Sequence, residues 1–387
     1  MKKKIFFLSV SRSDIDRYSS IINELNLINK SDNYVLVSGS HYSKKFGYTY
    51  KSVLNSKFKY IKAIKESYIL DDSNYSKNIS NIANKLSSIF IKNRPDILVI
   101  LGDRYEMLAG PIACLDKNIP IVHIHGGAVT YGAIDDNIRH ALTKMSNIHY
   151  VSHKNYEKRL LQLGEEKWRI KNLGAPGLDR LKVLSKNNFE KIPVIQKNKI
   201  NKKQFILVCF NSETRALKTI KRDLTELFKF LKNKKNQNLK KILTYPNSDP
   251  GSKVIINEIN KYLTKNSNTF LLNSFSGNEF YPILKNCNFL IGNSSVGIVE
   301  AASFKTPVIN LGDRQKGKVH PPNVLSAKYE LKSMISALNK LKSKNYLKVL
   351  KSMKNPYGDG KAGSKIAKNI LKIKIDSKLL KKRFISL

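Results

Sequence analysis

Three stretches of this chain carry residue types that move protons or hold phosphate. Leu101-Gly102-Asp103-Arg104-Tyr105-Glu106 sets two carboxylates about one helical turn apart, directly after an apolar run. A carboxylate there suits acid/base work at the carboxyl end of a strand, and equally suits capping the next helix. His123-Ile124-His125-Gly126-Gly127 also closes an apolar run. Strand alternation predicts that His123 and His125 share a face, and the glycines admit close backbone approach. No third ligand follows at a motif-like spacing, so an acid/base or hydrogen-bonding role for His125 is preferred over a metal site. Gly292-Asn293-Ser294-Ser295-Val296-Gly297-Ile298-Val299-Glu300 predicts a strand, a small-residue turn and a helix start. Its hydroxyls and N–H groups form an anion site, with Glu300 placed to hold ribose hydroxyls; a capped helix without ligand is the plain alternative.

Further polar groups stand at other predicted strand ends. Arg12 either reaches a phosphate or lies on the surface beside a helix capped by Ser13 or Asp14. Asp135 and Asp136 open a helix that carries Arg139, His140 and Lys144 at helical spacing. Asn211-Ser212-Glu213-Thr214 and Tyr245-Pro246-Asn247-Ser248-Asp249-Pro250-Gly251 are polar turns. Asp313, Arg314, Gln315 and Lys316 offer groups to a diphosphate.

Positioning these groups requires buried strands. Apolar runs at Ile5–Val10, Tyr34–Val37, Ile97–Leu101, Ile121–Ile124, Ile148–Val151, Phe205–Phe210, Ile242–Thr244, Thr269–Leu272, Phe289–Ile291 and Val308–Asn310 alternate with amphipathic helical segments. Runs without polar alternation are buried on both faces, so the fold class is α/β with parallel sheets covered by helices. The stretch at 177–204 is rich in Lys and Asn and reads as a linker. It separates a first Rossmann-like domain at 1–176 from a second at 205–360, with a helix and a basic tail at 361–387. Leu-Gly-Asp-Arg occurs at 101–104 and again at 311–314, a weak hint of duplication.

The bulk composition excludes some functions. Lys and Arg total 70 against 29 Asp and Glu, a formal charge of +41. The lysines are spread through nearly every segment, with no aromatic-basic stripe, so they read as a solvated surface and not as a nucleic-acid footprint. No apolar run approaches the ~20 residues of a membrane span. Cys114, Cys209 and Cys287 lie far apart in apolar contexts and read as reduced core thiols of a cytoplasmic protein.

Taken together, these motifs resemble the hydrolysing UDP-N-acetylglucosamine 2-epimerases of bacterial sialic and legionaminic acid synthesis. The matching pieces run nearly the length of the chain. They are Gly102–Glu106, His123–Gly127, Ile138–His140 with Thr143–Ser146, Gly292–Ser295 with Glu300, Asn310–Gly317 and Asn355–Lys361. The resemblance implies a fold like that of the B-type glycosyltransferases, with a sugar nucleotide in the cleft between two domains and a C-terminal helix returning to the first. It implies no metal or redox cofactor, and a homodimer. A base takes the C2 proton as the nucleotide diphosphate leaves C1; water then adds at C1 and a proton returns to C2 from the other face. Asp103, His125, Asp135 and Glu106 match the acid/base positions. Arg12, Arg139, His140, Asn211, Ser294, Ser295, Gly297, Glu300, Asp313 and Arg314 match substrate and nucleotide positions. Two departures bear on the substrate: Ala128 follows the glycine pair where many members have Glu, and Asn211-Ser212 replaces His-Pro. A different nucleotide, uridine or guanosine, or a 4-acetamido-6-deoxy sugar accommodates them. A glycosyltransferase or a non-catalytic nucleotide-sugar binding protein on this fold are the competing readings.

Overall fold

The computed structural model of the chain describes residues 2–43, 48–54, 58–64, 74–130, 134–213, 217–247, 250–272, 277–383 and 385. Thr214, Ser248 and Asp249 of the two polar turns lie outside the described residues. The chain divides into two compact units. The first comprises residues 1–128, 134–179 and 357–387; the second comprises 129–133 and 180–356.

The first unit holds a parallel sheet of seven strands in the order β3-β2-β1-β4-β5-β6-β7. These are β1 (Lys3–Ser9), β2 (Ser31–Val37), β3 (Tyr60–Lys62), β4 (Ile97–Leu101), β5 (Ile121–Ile124), β6 (Ile148–Val151) and β7 (Ile170–Asn172). The second unit holds six parallel strands in the order β10-β9-β8-β11-β12-β13. They are β8 (Phe205–Cys209), β9 (Lys240–Thr244), β10 (Thr269–Leu272), β11 (Phe289–Gly292), β12 (Val308–Leu311) and β13 (Val324–Ala327). Each sheet therefore reverses strand order beside its first strand, between β1 and β4 and between β8 and β11. Loops at the carboxyl ends of such strands open a crevice where ligands bind.

The two Leu-Gly-Asp-Arg strings do not occupy matching places. One follows β4, next to β1, while the other follows β12, which β11 separates from β8. Their shared feature is local, since Gly102 and Gly312 both have positive φ, at 75° and 64°. A strand-to-loop turn of that hand favours glycine.

The Lys/Asn-rich stretch after residue 180 is folded. It carries the short helices Leu181–Leu184 and Pro193–Lys197, and Phe189, Ile192, Ile195 and Ile200 are buried. Within the first unit, the helix Ala362–Lys372 packs on the helix Arg12–Ile28. Asp179 accepts the Ala362 N–H at 2.9 Å and also that of Gly363. Further along, Lys382 Nζ donates to the carbonyls of Thr143, Lys144 and Ser146 at 3.0, 2.9 and 2.8 Å. Glu165 Oε2 pairs with the same ammonium at 2.7 Å. The buried Arg169 guanidinium donates to the carbonyls of Leu379 and Lys378. Residues 377–382 are thus pinned to the end of the helix Asp135–Met145.

Candidate functional site

In the first unit the chemistry gathers at the carboxyl ends of β1, β4 and β5. Helix Arg12–Ile28 starts one residue after Ser11, so Ser11 is its N-cap, where Ser13 or Asp14 was expected. Asp14, at the third helical position, reaches back instead. Its Oδ2 accepts the Val10 and Ser11 N–H groups at 2.9 and 2.8 Å. Burial raises the Asp14 pKa; these two N–H donors, Arg104 and Arg17 pull it down. Arg12 is exposed on the first turn.

Asp103 follows Gly102 and is ion-paired with Arg139. Arg139 is itself buried. It also donates to the Ala128 carbonyl at 2.6 Å and to Asp136 Oδ1 at 3.2 Å. The helix that begins at Asp135 therefore fixes Asp103 from one side. His140 Nε2 stands 3.7 Å from Asp136 Oδ2, and Asp135 is half-buried on the first turn. The other carboxylate of the motif is placed differently: Glu106 is 1% exposed and takes Arg104 Nε and Nη2 at 3.2 and 2.9 Å. Although burial works against the Arg104 charge, Glu106 and Asp14 raise its pKa.

His123 and His125 do not share a face. Strand β5 ends at Ile124, and His125 has φ 69°, so alternation stops before it. His123 Nε2 lies 2.8 Å from the Gly102 carbonyl and must donate to it, which leaves Nδ1 facing Thr143 Oγ1 at 3.4 Å. His123 is thus committed to holding the turn before Asp103. His125 is half-buried, and its N–H donates to the Tyr150 carbonyl at 3.0 Å. Burial first, then Arg17, lowers its pKa to about 3, against an upward pull from Asp103. A non-glycine residue in the left-handed region at a strand end is a strained position of the kind found at functional sites. The tight turn depends on Gly127 as well, where a Cβ would meet the Tyr156 carbonyl oxygen at 2.4 Å.

One residue absent from the sequence reading is His41. Its Nε2 lies 2.8 Å from Ser9 Oγ and its Nδ1 3.0 Å from Thr49 Oγ1. A lone histidine beyond a strand, outside any motif, gives no sequence signal. Burial lowers its pKa to about 4 and that of His123 to about 3. Unfolded, both titrate near 6.5, so between that pH and their folded values the unfolded chain binds more protons. Stability is complete above about pH 6.5 and is lost as pH falls, by about 1.4 kcal/mol per unit for each histidine. Urea midpoints measured from pH 7 down to pH 4 are expected to fall steeply, more so than in His41→Asn. A flat profile contradicts the assignment.

In the second unit the turn after β11 is built on Asn293. Gly292 has φ 148°, and a Cβ there would lie 2.0 Å from the Cys209 carbonyl oxygen. Asn293 is fully buried. Its Oδ1 accepts the Asn211 N–H at 2.7 Å, and its Nδ2 donates to the Asn211 carbonyl at 2.8 Å and the Tyr329 hydroxyl at 3.0 Å. Its own carbonyl takes Gln315 Nε2 at 2.8 Å and Arg314 Nη1 at 3.4 Å. Tyr329, which the sequence reading passed over, donates to Glu213 Oε1 at 2.9 Å. Asn211 Oδ1 accepts the Asn247 N–H at 2.9 Å. Asn293 thus ties together the loops after β8, β11, β12 and β13, by its side-chain amide for β8 and β13 and by its carbonyl for β12.

The helix expected after that turn is only four residues, Ser295–Ile298, followed by a 3-10 turn at Ala301–Phe304. Val299 and Ser303 already close onto this short geometry, so a helix dipole adds little. What remains is the turn itself. Among the described residues, the N–H groups of Ser294, Ser295 and Val296 have no acceptor. The half-buried Ser294 and Ser295 hydroxyls add two more donors to the same turn. Gly297 is buried and lets the turn lie against Leu290 and Val308, where a Cβ would come within 3.2 and 3.0 Å of them. Glu300 is half-buried behind the turn, Arg314 half-buried beside it, and Asp313 exposed with Lys316 Nζ at 3.7 Å.

Comparison with known proteins places this geometry in context. A family model described as UDP-N-acetylglucosamine 2-epimerase matches residues 23–371. The chain is 37% identical to the GDP/UDP-N,N'-diacetylbacillosamine 2-epimerase (hydrolyzing) of Campylobacter jejuni, over 100% of both chains. It is 29% identical to the UDP-N,N'-diacetylbacillosamine 2-epimerase (hydrolyzing) of Legionella pneumophila, over 99% of both. Its fold is similar to that of the UDP-GlcNAc 2-epimerase from Neisseria meningitidis solved with UDP-GlcNAc, with a TM-score of 0.78 at 19% identity, covering 96% of this chain and 100% of that one.

Proposed function

The chain belongs to the UDP-N-acetylglucosamine 2-epimerase family, and we propose that it acts as a hydrolysing 2-epimerase on a nucleoside diphosphate 2,4-diacetamido-6-deoxy sugar. The reaction consumes one water and gives the free manno-configured sugar and the nucleoside diphosphate. The observation that carries it is Asp103, held by the buried Arg139 after β4, together with His125 on the left-handed turn after the neighbouring strand β5. Sugar transfer needs no proton removed from C2; epimerisation does, and general acid/base groups supply typically 10²–10⁴-fold of its rate.

In this reading the second unit holds the nucleotide. The donor row at Ser294–Val296 takes the diphosphate, Arg314 stabilises it as it leaves, and Glu300 takes the ribose hydroxyls. Asp103 removes the C2 proton as the C1–oxygen bond breaks, leaving a C1=C2 double bond. Water adds its oxygen to C1, with neutral His125 accepting a hydrogen bond from it. A proton then returns to C2 from the opposite face, with Asp135 as its candidate carrier. Glu106 and His140 act through neighbours, Glu106 by orienting Arg104 and His140 through Asp136. No metal or redox cofactor enters the scheme.

The preference for a 4-acetamido-6-deoxy sugar is supported by the Campylobacter relative, whose name carries that substrate class. A homodimer and a cytoplasmic site of action belong to the same reading. The three cysteines are buried free thiols, as suits a reducing compartment, and among the described residues no helix is long and apolar enough to cross a membrane.

The test is proton NMR in D2O with UDP-N-acetylglucosamine and with the uridine and guanosine forms of the 2,4-diacetamido-6-deoxy sugar. Free manno-configured sugar deuterated at C2, with an equal amount of nucleoside diphosphate, is expected from one of the diacetamido substrates. Release only when a sugar acceptor is added would make the protein a transferase. Release from UDP-N-acetylglucosamine alone would overturn the substrate preference and keep the reaction.

A further inference from the structure

A cavity of about 210 Å³ lies beside β6 and β7, and none of the residues assigned to the proposed reaction lines it. Tyr150 and Trp168 form its aromatic side, and Lys171, Lys372, Lys374 and Lys378 surround it. Lys378 Nζ stands 5.3 Å from the Trp168 ring centre, and the Arg169 guanidinium lies over the same ring at 4.2 Å. Lys171 donates to Asn369 Oδ1 at 2.6 Å. Among the described residues none of the four lysines has an ion-pair partner. The Asp376 carboxylate at the rim is engaged, accepting the Leu379 N–H at 2.8 Å.

Tyr150 supplies a second, independent observation. It is 1% exposed, and among the described residues its hydroxyl has no hydrogen-bond partner. The hydroxyl opens onto the cavity, so its acceptor comes from whatever fills that space. Burial alone raises its pKa, so it remains a donor at any working pH.

We propose that this cavity binds a small-molecule phosphomonoester. Its dianion offers three acceptor oxygens to one phenol and to the lysines that line the cavity, whose ammonium groups bind phosphate as point charges. The volume is below the roughly 300–1,000 Å³ of pockets for drug-sized ligands, so a whole nucleotide sugar does not fit and a hexose phosphate is the upper size. The proposal is independent of the substrate of the epimerase site.

Trp168 is the single tryptophan of the chain and sits in the cavity wall, so it reports occupancy directly. Titration of the intact protein with glucose 6-phosphate, inorganic phosphate and sulfate, followed by fluorescence and by calorimetry, tests the idea. A saturable response that is tightest for glucose 6-phosphate is expected. Tyr150→Phe keeps the ring packing and the charge, and is expected to weaken binding about tenfold, the size of one hydrogen bond. Lys378→Gln is expected to weaken it as well, whereas Lys59→Gln, beside β3 at the opposite edge of the same sheet, leaves it unchanged. Equal titrations of wild type and Tyr150→Phe would show attraction to a basic surface only and overturn the proposal, as would the absence of saturation. Thermal unfolding of each variant confirms that the fold is retained.

Discussion

Asp103→Asn is expected to lower turnover by about a thousandfold or more, while UDP binding measured by calorimetry stays close to wild type. The amide keeps the shape of the side chain and removes its ability to take a proton. It also leaves Arg139, 4% exposed, without its carboxylate partner at that position. Removing one member of a buried pair is destabilising by itself, by up to ~3–5 kcal/mol when both groups are fully buried, and Asp103 is 28% exposed. The double variant Asp103→Asn/Arg139→Gln separates the two effects. It is expected to recover much of the stability and none of the turnover. Turnover within tenfold of wild type in the single variant, at equal folded fraction, would remove Asp103 from the chemistry.

Asn293→Ala carries the largest expected loss in the second unit. It deletes three side-chain hydrogen bonds and leaves the buried N–H and carbonyl of Asn211 unpaired. Each orphaned buried group costs about 1–3 kcal/mol, so a drop of roughly 2–5 kcal/mol in unfolding free energy is expected from urea curves. The same change frees the loops after β8, β11 and β13 from one another, and UDP affinity is expected to fall more than tenfold. Asn293→Asp keeps the acceptor for the Asn211 N–H and loses both donors, so it should fall between. Wild-type UDP affinity in a folded Asn293→Ala would mean that the donor row at Ser294–Val296 needs no such anchoring.

Most strands were legible as runs dominated by apolar residues, and the structure has strands at all ten predicted places, the edge strand β10 among them. The three that escaped, β3, β7 and β13, are all sheet edges. An edge strand has one neighbour and a solvated side, so Tyr60–Lys62 and Ile170–Asn172 read as ordinary polar sequence. The loop chemistry was legible where residues cluster in sequence, as at 101–106, 123–127 and 292–300. It was illegible where partners come from distant strands. Nothing near Asn293 announces Tyr329, and nothing near Ser9 announces His41. The shared-face expectation for His123 and His125 failed because alternation is a rule for strands, and β5 stops one residue too soon. The helix after Ser294 was overestimated for a related reason, since small residues that suit a helix start suit a tight turn equally well.

The division of the chain has a consequence for the order in which the molecule is made. The first unit is completed only by residues 357–387, whereas the second is contained in 129–133 and 180–356. A ribosome therefore delivers every part of the second unit before the last part of the first. Lys382, which closes the carbonyls at the end of the helix carrying Arg139, emerges after every part of the second unit. The second unit can therefore be complete before the first, the reverse of the usual order in which the N-terminal domain is finished and folds first. Until residues 362–382 have been made, β1 to β7 lack the helix Ala362–Lys372 and the lysine that closes the end of the helix carrying Arg139. The first sheet is then closed only after the second unit is whole.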